Sequence, residues 1–256
     1  WINTLQAYAF PLIGERPVGS IQVPDVLAVL KPIWQGKAET ARRVRQRMDQ
    51  VMRWAEAHGH SDKNPVAAAV ELLPKQRTKV RHHKAMDYQE VPAFVGRLRT
   101  HDLSAGSLAL EFLILTAARS GEARSASWSE IDLRNGVWTI PAERMKAGNE
   151  HRVPLSKAAV ATLKRALKGF GEGGLVFPAA SGQPLSDMTL TATMRRMKVD
   201  AVPHGFRSSF RDWCAEQGVR RELAERCLAQ ISKMTDPQAQ FAALSRAWVA
   251  EYLKTT

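Results

Sequence analysis

Five side chains scattered between residues 119 and 207 are suited to hold and work on an anion. Arg119 and Glu122 sit three residues apart in LTAARSGE, Lys146 lies in RMKAGN, and His204 and Arg207 sit three apart in HGFR. A spacing of three puts two residues on one face of a helix, so His204 and Arg207 can aim at one point, and Glu122 can reach Arg119 if the chain is helical there. A guanidinium offers planar paired donors and keeps its charge, which suits the oxygens of a phosphate or carboxylate. An imidazole, with an ordinary pKa of about 6.5, can give or take a proton near neutrality. Four of these residues also have a plainer reading. Arg119 could cap the end of a helix, Lys146 could be a solvent-facing turn residue, His204 could cap a helix start, and Glu122 reads as structural support.

Other chemistries have no foothold in the sequence. There is no phosphate-binding GxxxxGK[ST] loop, GxGxxG, HExxH or GxSxG. Cys214 and Cys227 are the only cysteines. Thirteen residues apart and each in a helical context, they read as buried thiols in a reducing cytoplasm rather than as a disulfide or zinc site.

The elements that must position these residues fall into two groups. Residues 1–73 read as all helical. Pro11 and Gly14 break a first amphipathic segment, and Val23-Pro24-Asp25 opens a second helix. Residues 38–58 form a third, with Val44, Met48, Val51, Met52 and Ala55 on its apolar stripe. Arg42, Arg43, Arg45, Arg47 and Arg53 crowd the rest of that helix, either as a solvated face or as phosphate contacts. Residues 74–86 read as an extended basic linker. LPKQRTKVRHHKAM holds Lys75, Arg77, Lys79 and Arg81 among seven basic residues, and no acid.

From residue 87 the chain reads as helical again, with helices expected over 87–98 and 107–116. Two short strands, at 137–140 and 151–155, flank the turn that carries Lys146. Helices are then expected over 157–167, 186–197, 206–217, 222–229 and 237–253. Trp128, Trp138, Trp213 and Trp248 read as core. The fold class is therefore mainly α with a small antiparallel sheet.

Composition fits a polyanion partner. The 256 residues carry 37 Lys and Arg against 25 Asp and Glu, a formal charge of +12. Nucleic acid is the commonest partner for such an excess, with an anionic membrane surface as the rival. No apolar run approaches the roughly 20 residues that span a bilayer, and no signal-peptide pattern opens the sequence. It starts inside an amphipathic segment, so an N-terminal part is expected to precede it.

Three of these segments together resemble the tyrosine recombinases, in particular the integrases of phages and genomic islands. LTAARSGEARSASWSEIDL resembles the motif of the first catalytic arginine, MKAGNEHRVPLS the lysine β-turn, and VPHGFRSSFRDW the His-x-x-Arg motif. TLQAYAFPLIGERPVGSI resembles the core-binding domain of that subgroup. The resemblance implies a C-shaped DNA clamp built from an all-α core-binding domain (1–73), a basic linker (74–86) and a catalytic domain (87–256). It implies cutting and rejoining of double-stranded DNA through a 3′-phosphotyrosyl intermediate, which integrates or excises a mobile element without metal or nucleotide cofactor. It further implies four subunits on DNA, DNA-bending and directionality proteins as accessory partners, and no membrane. Arg119 and Arg207 would hold the non-bridging oxygens, Lys146 would protonate the leaving oxygen, His204 would be the acid/base partner, and Glu122 would orient the arginines.

Two positions depart from the pattern. Gln230 stands where the family has a histidine, and it can donate a hydrogen bond but cannot exchange a proton. Phe241 stands near the expected nucleophile, and the remaining tyrosines are Tyr8, Tyr88 and Tyr252. Three accounts stay open: a chain altered at the nucleophile, a catalytically inactive DNA-binding relative, or Tyr252 acting instead. An unrelated basic helical protein that binds RNA or an acidic partner is the reading from another class.

Overall fold

A computed structural model describes residues 2–76, 84–229 and 248. The chain divides into two compact units, Trp1–Arg81 and His82–Thr256.

The first unit is helical throughout: α1 (Ile2–Tyr8), α2 (Phe10–Ile13), α3 (Val23–Trp34), α4 (Ala38–Ala57) and α5 (Val66–Glu71). The helical run breaks at Ala9 rather than at Pro11, and ends at Gly14 as the sequence announces. Pro11 occupies the first turn of α2, where its missing N–H has no partner to lose. The start of α3 is fixed by Asp25, whose carboxylate accepts from the Gln22 backbone N–H at 2.8 Å and pairs with Arg16 at 2.5 Å. α3 buries Val26, Val29, Leu30 and Ile33. α4 answers with Ala41, Val44, Met48 and Met52, a stripe at the three- and four-residue spacing the sequence announces. Val51, expected on that stripe, is exposed instead. After α5 the backbone is tied back to α3: Trp34 Nε1 donates to the Pro74 carbonyl and Gln76 Nε2 to the Trp34 carbonyl, both at 2.7 Å.

The second unit is organised on α7 (Ala105–Thr116), of whose twelve residues all but Ala105 are buried. Ser104 caps its start by accepting from the Ser107 N–H. Its one buried carboxylate, Glu111, is held by Arg99 of α6 (Val91–His101) and Arg165 of α9 (Lys157–Phe170). α6 begins later than residue 87, because residues 88–90 form a turn and Pro92 sits in the first helical turn. The sheet is β1 (Ile131–Asp132), β2 (Val137–Ile140) and β3 (His151–Pro154), antiparallel in the order β1-β2-β3. β2 alternates half-buried and buried residues, turning Trp138 and Ile140 inward. The Trp138 ring lies 5.0 Å from Phe112 of α7. In register, Ile140 faces His151 across the strands.

Three helices complete the unit: α10 (Thr189–Arg196), α11 (Gly205–Glu216) and α12 (Arg221–Cys227). The start of α11 is pressed against the chain that enters the unit. A Cβ on Gly205 would come within 2.3 Å of the Lys84 carbonyl, so only glycine permits that approach. The Val202 N–H donates to the same carbonyl, and Phe206 stacks on Phe94 of α6 at 5.7 Å. Trp213 and Trp248 are buried and meet at 5.1 Å, while Trp128 is half-buried. The rest of the helix expected over 237–253 lies outside the described residues. Cys214 and Cys227 are free and buried, and burial pushes the Cys214 thiol up to about 12.

Candidate active site

The candidate site gathers at the C-terminal end of α12. Arg207, on the buried face of α11 and 4% exposed, donates from Nη2 to the Leu228 carbonyl and from Nη1 to the Ala117 carbonyl, each at 2.5 Å. Arg119 donates from Nη2 toward the Leu228 and Ala229 carbonyls at 3.5 and 3.3 Å. The two guanidinium groups therefore share one carbonyl oxygen, that of Leu228. Both backbones that offer these acceptors turn through the left-handed region, with φ of 50° at Ala117 and at Ala229. That conformation is uncommon for a residue with a Cβ and marks a tightly specified position.

Arg119 is not at the end of α7, as the sequence suggested. α7 stops at Thr116, and Arg119 is the residue just before α8 (Ser120–Arg124). The short helix is what brings Glu122 back. Its carboxylate accepts from the Arg119 backbone N–H at 2.8 Å and from Arg119 Nη1 at 2.6 Å. Glu122 is itself buried, so it fixes both the backbone and the head of Arg119. Burial, and then the neighbouring Arg119 charge, lower the Arg207 guanidinium to about 10. It still carries its charge at neutral pH, and two cations share a partly dry site, opposed by the carboxylates of Glu122 and Glu225.

Two groups here were not singled out from the sequence. Arg144, just ahead of Lys146, donates from Nη2 to the Glu122 carbonyl at 2.6 Å and pairs with Glu130. Glu130 also accepts from Trp138 Nε1 at 2.9 Å. This chain of contacts ties the β2–β3 connection to the seat of Arg119. The other is His151 at the start of β3. Burial holds its imidazole below the ordinary value; Glu122 and a hydrogen bond to the Cys227 backbone oppose this, and Arg119 and Arg207 reinforce it. Sequence spacing carries no signal for either residue, since both depend on contacts between separate elements.

The remaining sequence candidates are placed as follows. Lys146 stands exposed on the connection between β2 and β3. His204 is exposed and immediately precedes α11, one turn before Arg207. Gln230 and Phe241 lie outside the described residues, as do Arg77, Lys79 and Arg81 of the basic linker. Lys75 is exposed, and so are Arg42 and Arg43, which both pair with Glu39 at 2.6 and 2.9 Å. Arg45 and Arg47 are half-buried, and Arg47 reaches Thr4 of α1. Among the described residues no group of three His, Cys, Asp or Glu gathers to hold a metal ion, and no helix is long and apolar enough to cross a membrane.

Residues 84–233, the stretch that contains every member of this cluster, match the phage integrase family, and residues 1–71 match the phage integrase central domain. The chain belongs to the phage integrase family of tyrosine recombinases. Among its relatives, the integrase of Enterobacteria phage P4 is 31% identical, over 85% of this chain and 54% of that protein. The prophage integrase IntA of Escherichia coli (strain K12) is 30% identical, over 90% of this chain and 57% of its own length. The chain thus spans about half the length of the curated relatives it matches. Among solved structures, a lambda integrase dimer bound to a core site superposes with a TM-score of 0.70 at 22% identity, covering 92% of this chain and 90% of that one. The Tn1549 transposon integrase in complex with circular intermediate DNA superposes at 0.66 with 13% identity, covering 93% and 90%. At those identities the superpositions establish the fold of this integrase family member and nothing finer.

Proposed function

We propose that this chain is the DNA-cutting and rejoining part of a site-specific integrase, with residues 1–73 as a core-binding domain, 74–86 as a basic linker and 87–256 as the catalytic domain. The observation that carries this reading is the meeting of Arg119 and Arg207 at the Leu228 carbonyl, with Glu122 holding Arg119 in place. Two guanidinium groups so arranged suit the non-bridging oxygens of one phosphodiester, where negative charge grows as phosphorus is attacked. Removing one such donor typically costs about 2.7–4 kcal/mol of transition-state stabilisation. Lys146, on its exposed turn, is the candidate to protonate the leaving 5′-oxygen, and His204 to exchange the proton of the attacking group. Gln230 would contribute a hydrogen bond. Double-stranded DNA is the partner, met through Arg42, Arg43, Arg45, Arg47, Lys75, Arg77, Lys79 and Arg81, with several copies assembling on it.

The second reading, a DNA-binding relative that does not cut, is favoured by one observation: no tyrosine occurs between Gln230 and Tyr252, where the nucleophile is expected. Incubation with a nicked suicide duplex, followed by a denaturing gel, separates the two. A covalent adduct with the unsubstituted chain that disappears on Tyr252→Phe assigns Tyr252 as the nucleophile. No adduct, with one appearing on Phe241→Tyr, assigns a complete pocket that lacks only its phenol. No adduct from either, with DNA still bound, supports the non-cutting reading.

A further inference from the structure

His151 is the titratable group beside the arginine pair that the proposed chemistry leaves unused. It opens β3 opposite Ile140, at the end of the hairpin. It hydrogen-bonds the Cys227 backbone at the end of α12, and it lies within the fields of Arg119 and Glu122 at the start of α8 and of Arg207 of α11. The residue after Cys227 is Leu228, whose carbonyl both arginines share. One helix end thus gathers two permanent cations and one imidazole, with Glu122 the carboxylate closest to them.

In the free site a proton on His151 is opposed by desolvation and by both arginines, and favoured by Glu122 and the Cys227 hydrogen bond. A phosphodiester held by Arg119 and Arg207 changes that balance. It adds negative charge close to the ring and offsets the two guanidinium charges that resist protonation. We infer that His151 is a third, conditional cation of this anion site, taking a proton from water when a phosphate settles between Arg119 and Arg207. Engagement of DNA is thereby coupled to uptake of a proton, at a residue separate from Gln230, which cannot carry one. The inference rests on the proposed integrase reading of the site.

Calorimetric titration of the intact chain with a short duplex, in two buffers of different ionisation heat, counts the protons taken up on binding. Run across the pH range around the ordinary imidazole value of about 6.5, the unsubstituted chain is expected to take up about one proton more than His151→Gln. His101→Gln, on α6, should match the unsubstituted chain in this difference. Equal uptake by His151→Gln and the unsubstituted chain overturns the inference while leaving the integrase reading intact. Should His151→Gln fail to fold, imidazole NMR of the unsubstituted chain reads the same proton. The imidazole signal assigned to His151 should then move upward on adding duplex, and no movement overturns the inference. Absence of any binding removes the integrase reading and the inference with it.

Discussion

Arg119 and Arg207 donate to the same carbonyl oxygen, that of Leu228, although one precedes a short helix after α7 and the other lies inside α11. The contact makes the end of α12 part of the site's structure as well as its neighbour. Arg207→Ala would leave the Ala117 carbonyl without its buried side-chain donor and the Leu228 carbonyl with only the longer Arg119 contact, and an acceptor so left costs about 1–3 kcal/mol. Urea unfolding of Arg207→Ala should show a loss in that range, and Arg207→Lys a smaller one, because an ammonium can still serve one acceptor although it cannot span both with a planar fork. An unchanged midpoint for Arg207→Ala would mean that the fold does not depend on this junction.

Glu111 provides a contrast within the same unit. It is 1% exposed in the middle of α7 and is bound by Arg99 at 2.8 Å and by Arg165. Removing the carboxylate frees two half-buried arginines that can turn toward water, so the penalty comes mainly from the lost charge-assisted hydrogen bonds, about 1.5–3 kcal/mol. Glu111→Ala should therefore lower the unfolding free energy while DNA affinity stays within a factor of a few, since neither arginine belongs to the proposed site. A selective loss of DNA binding at unchanged stability would contradict this division.

The helices and the β2–β3 hairpin were legible because their signals are local. The apolar stripe of α4 and the alternation of Val137 to Ile140 each leave a mark on neighbouring residues. The pairing of Arg119 with Glu122 was legible for the same reason, given a helix start. The meeting of Arg119 with Arg207 was expected only through resemblance, because nothing periodic links α8 to α11. Arg144 and His151 were missed altogether. Their roles come from the Glu122 carbonyl and the Cys227 backbone, and a backbone acceptor has no signature in sequence. The two-residue strand β1 and the six-residue α5 also escaped, being too short for a pattern to repeat within them.

Stability should depend on pH through His151. Burial, the largest influence on it, holds its imidazole below the ordinary value of about 6.5. Between the lowered folded value and the unfolded one, the unfolded chain binds more protons, so unfolding free energy rises with pH in that window. The contribution is complete above about pH 6.5 and fades as pH falls toward the folded value. Denaturation midpoints measured from mildly acidic to neutral pH should show this slope, and His151→Gln should flatten it. An equal slope in the variant would assign the effect to other groups.

The arginines of α4 make the last prediction, which concerns binding rather than chemistry. Arg42 and Arg43 are exposed and share Glu39 as partner. An exposed pair of this kind is worth little to stability, so either guanidinium can leave it for a phosphate at small cost. Each cation that reaches a DNA phosphate releases counterions, lowering log K by about 0.9 per contact for each tenfold rise in salt. Affinity for duplex DNA should therefore fall steeply with salt, and Arg42→Gln should reduce the slope by about one contact while weakening all sequences alike. Glu39→Gln should act in the opposite direction, since it removes the competing carboxylate and one negative charge from the face offered to DNA. Filter-binding titrations of the three proteins at several salt concentrations give the slopes directly. If Glu39→Gln binds no more tightly than the unsubstituted chain and Arg42→Gln leaves the slope unchanged, this face of α4 is a solvated surface and DNA must be met elsewhere.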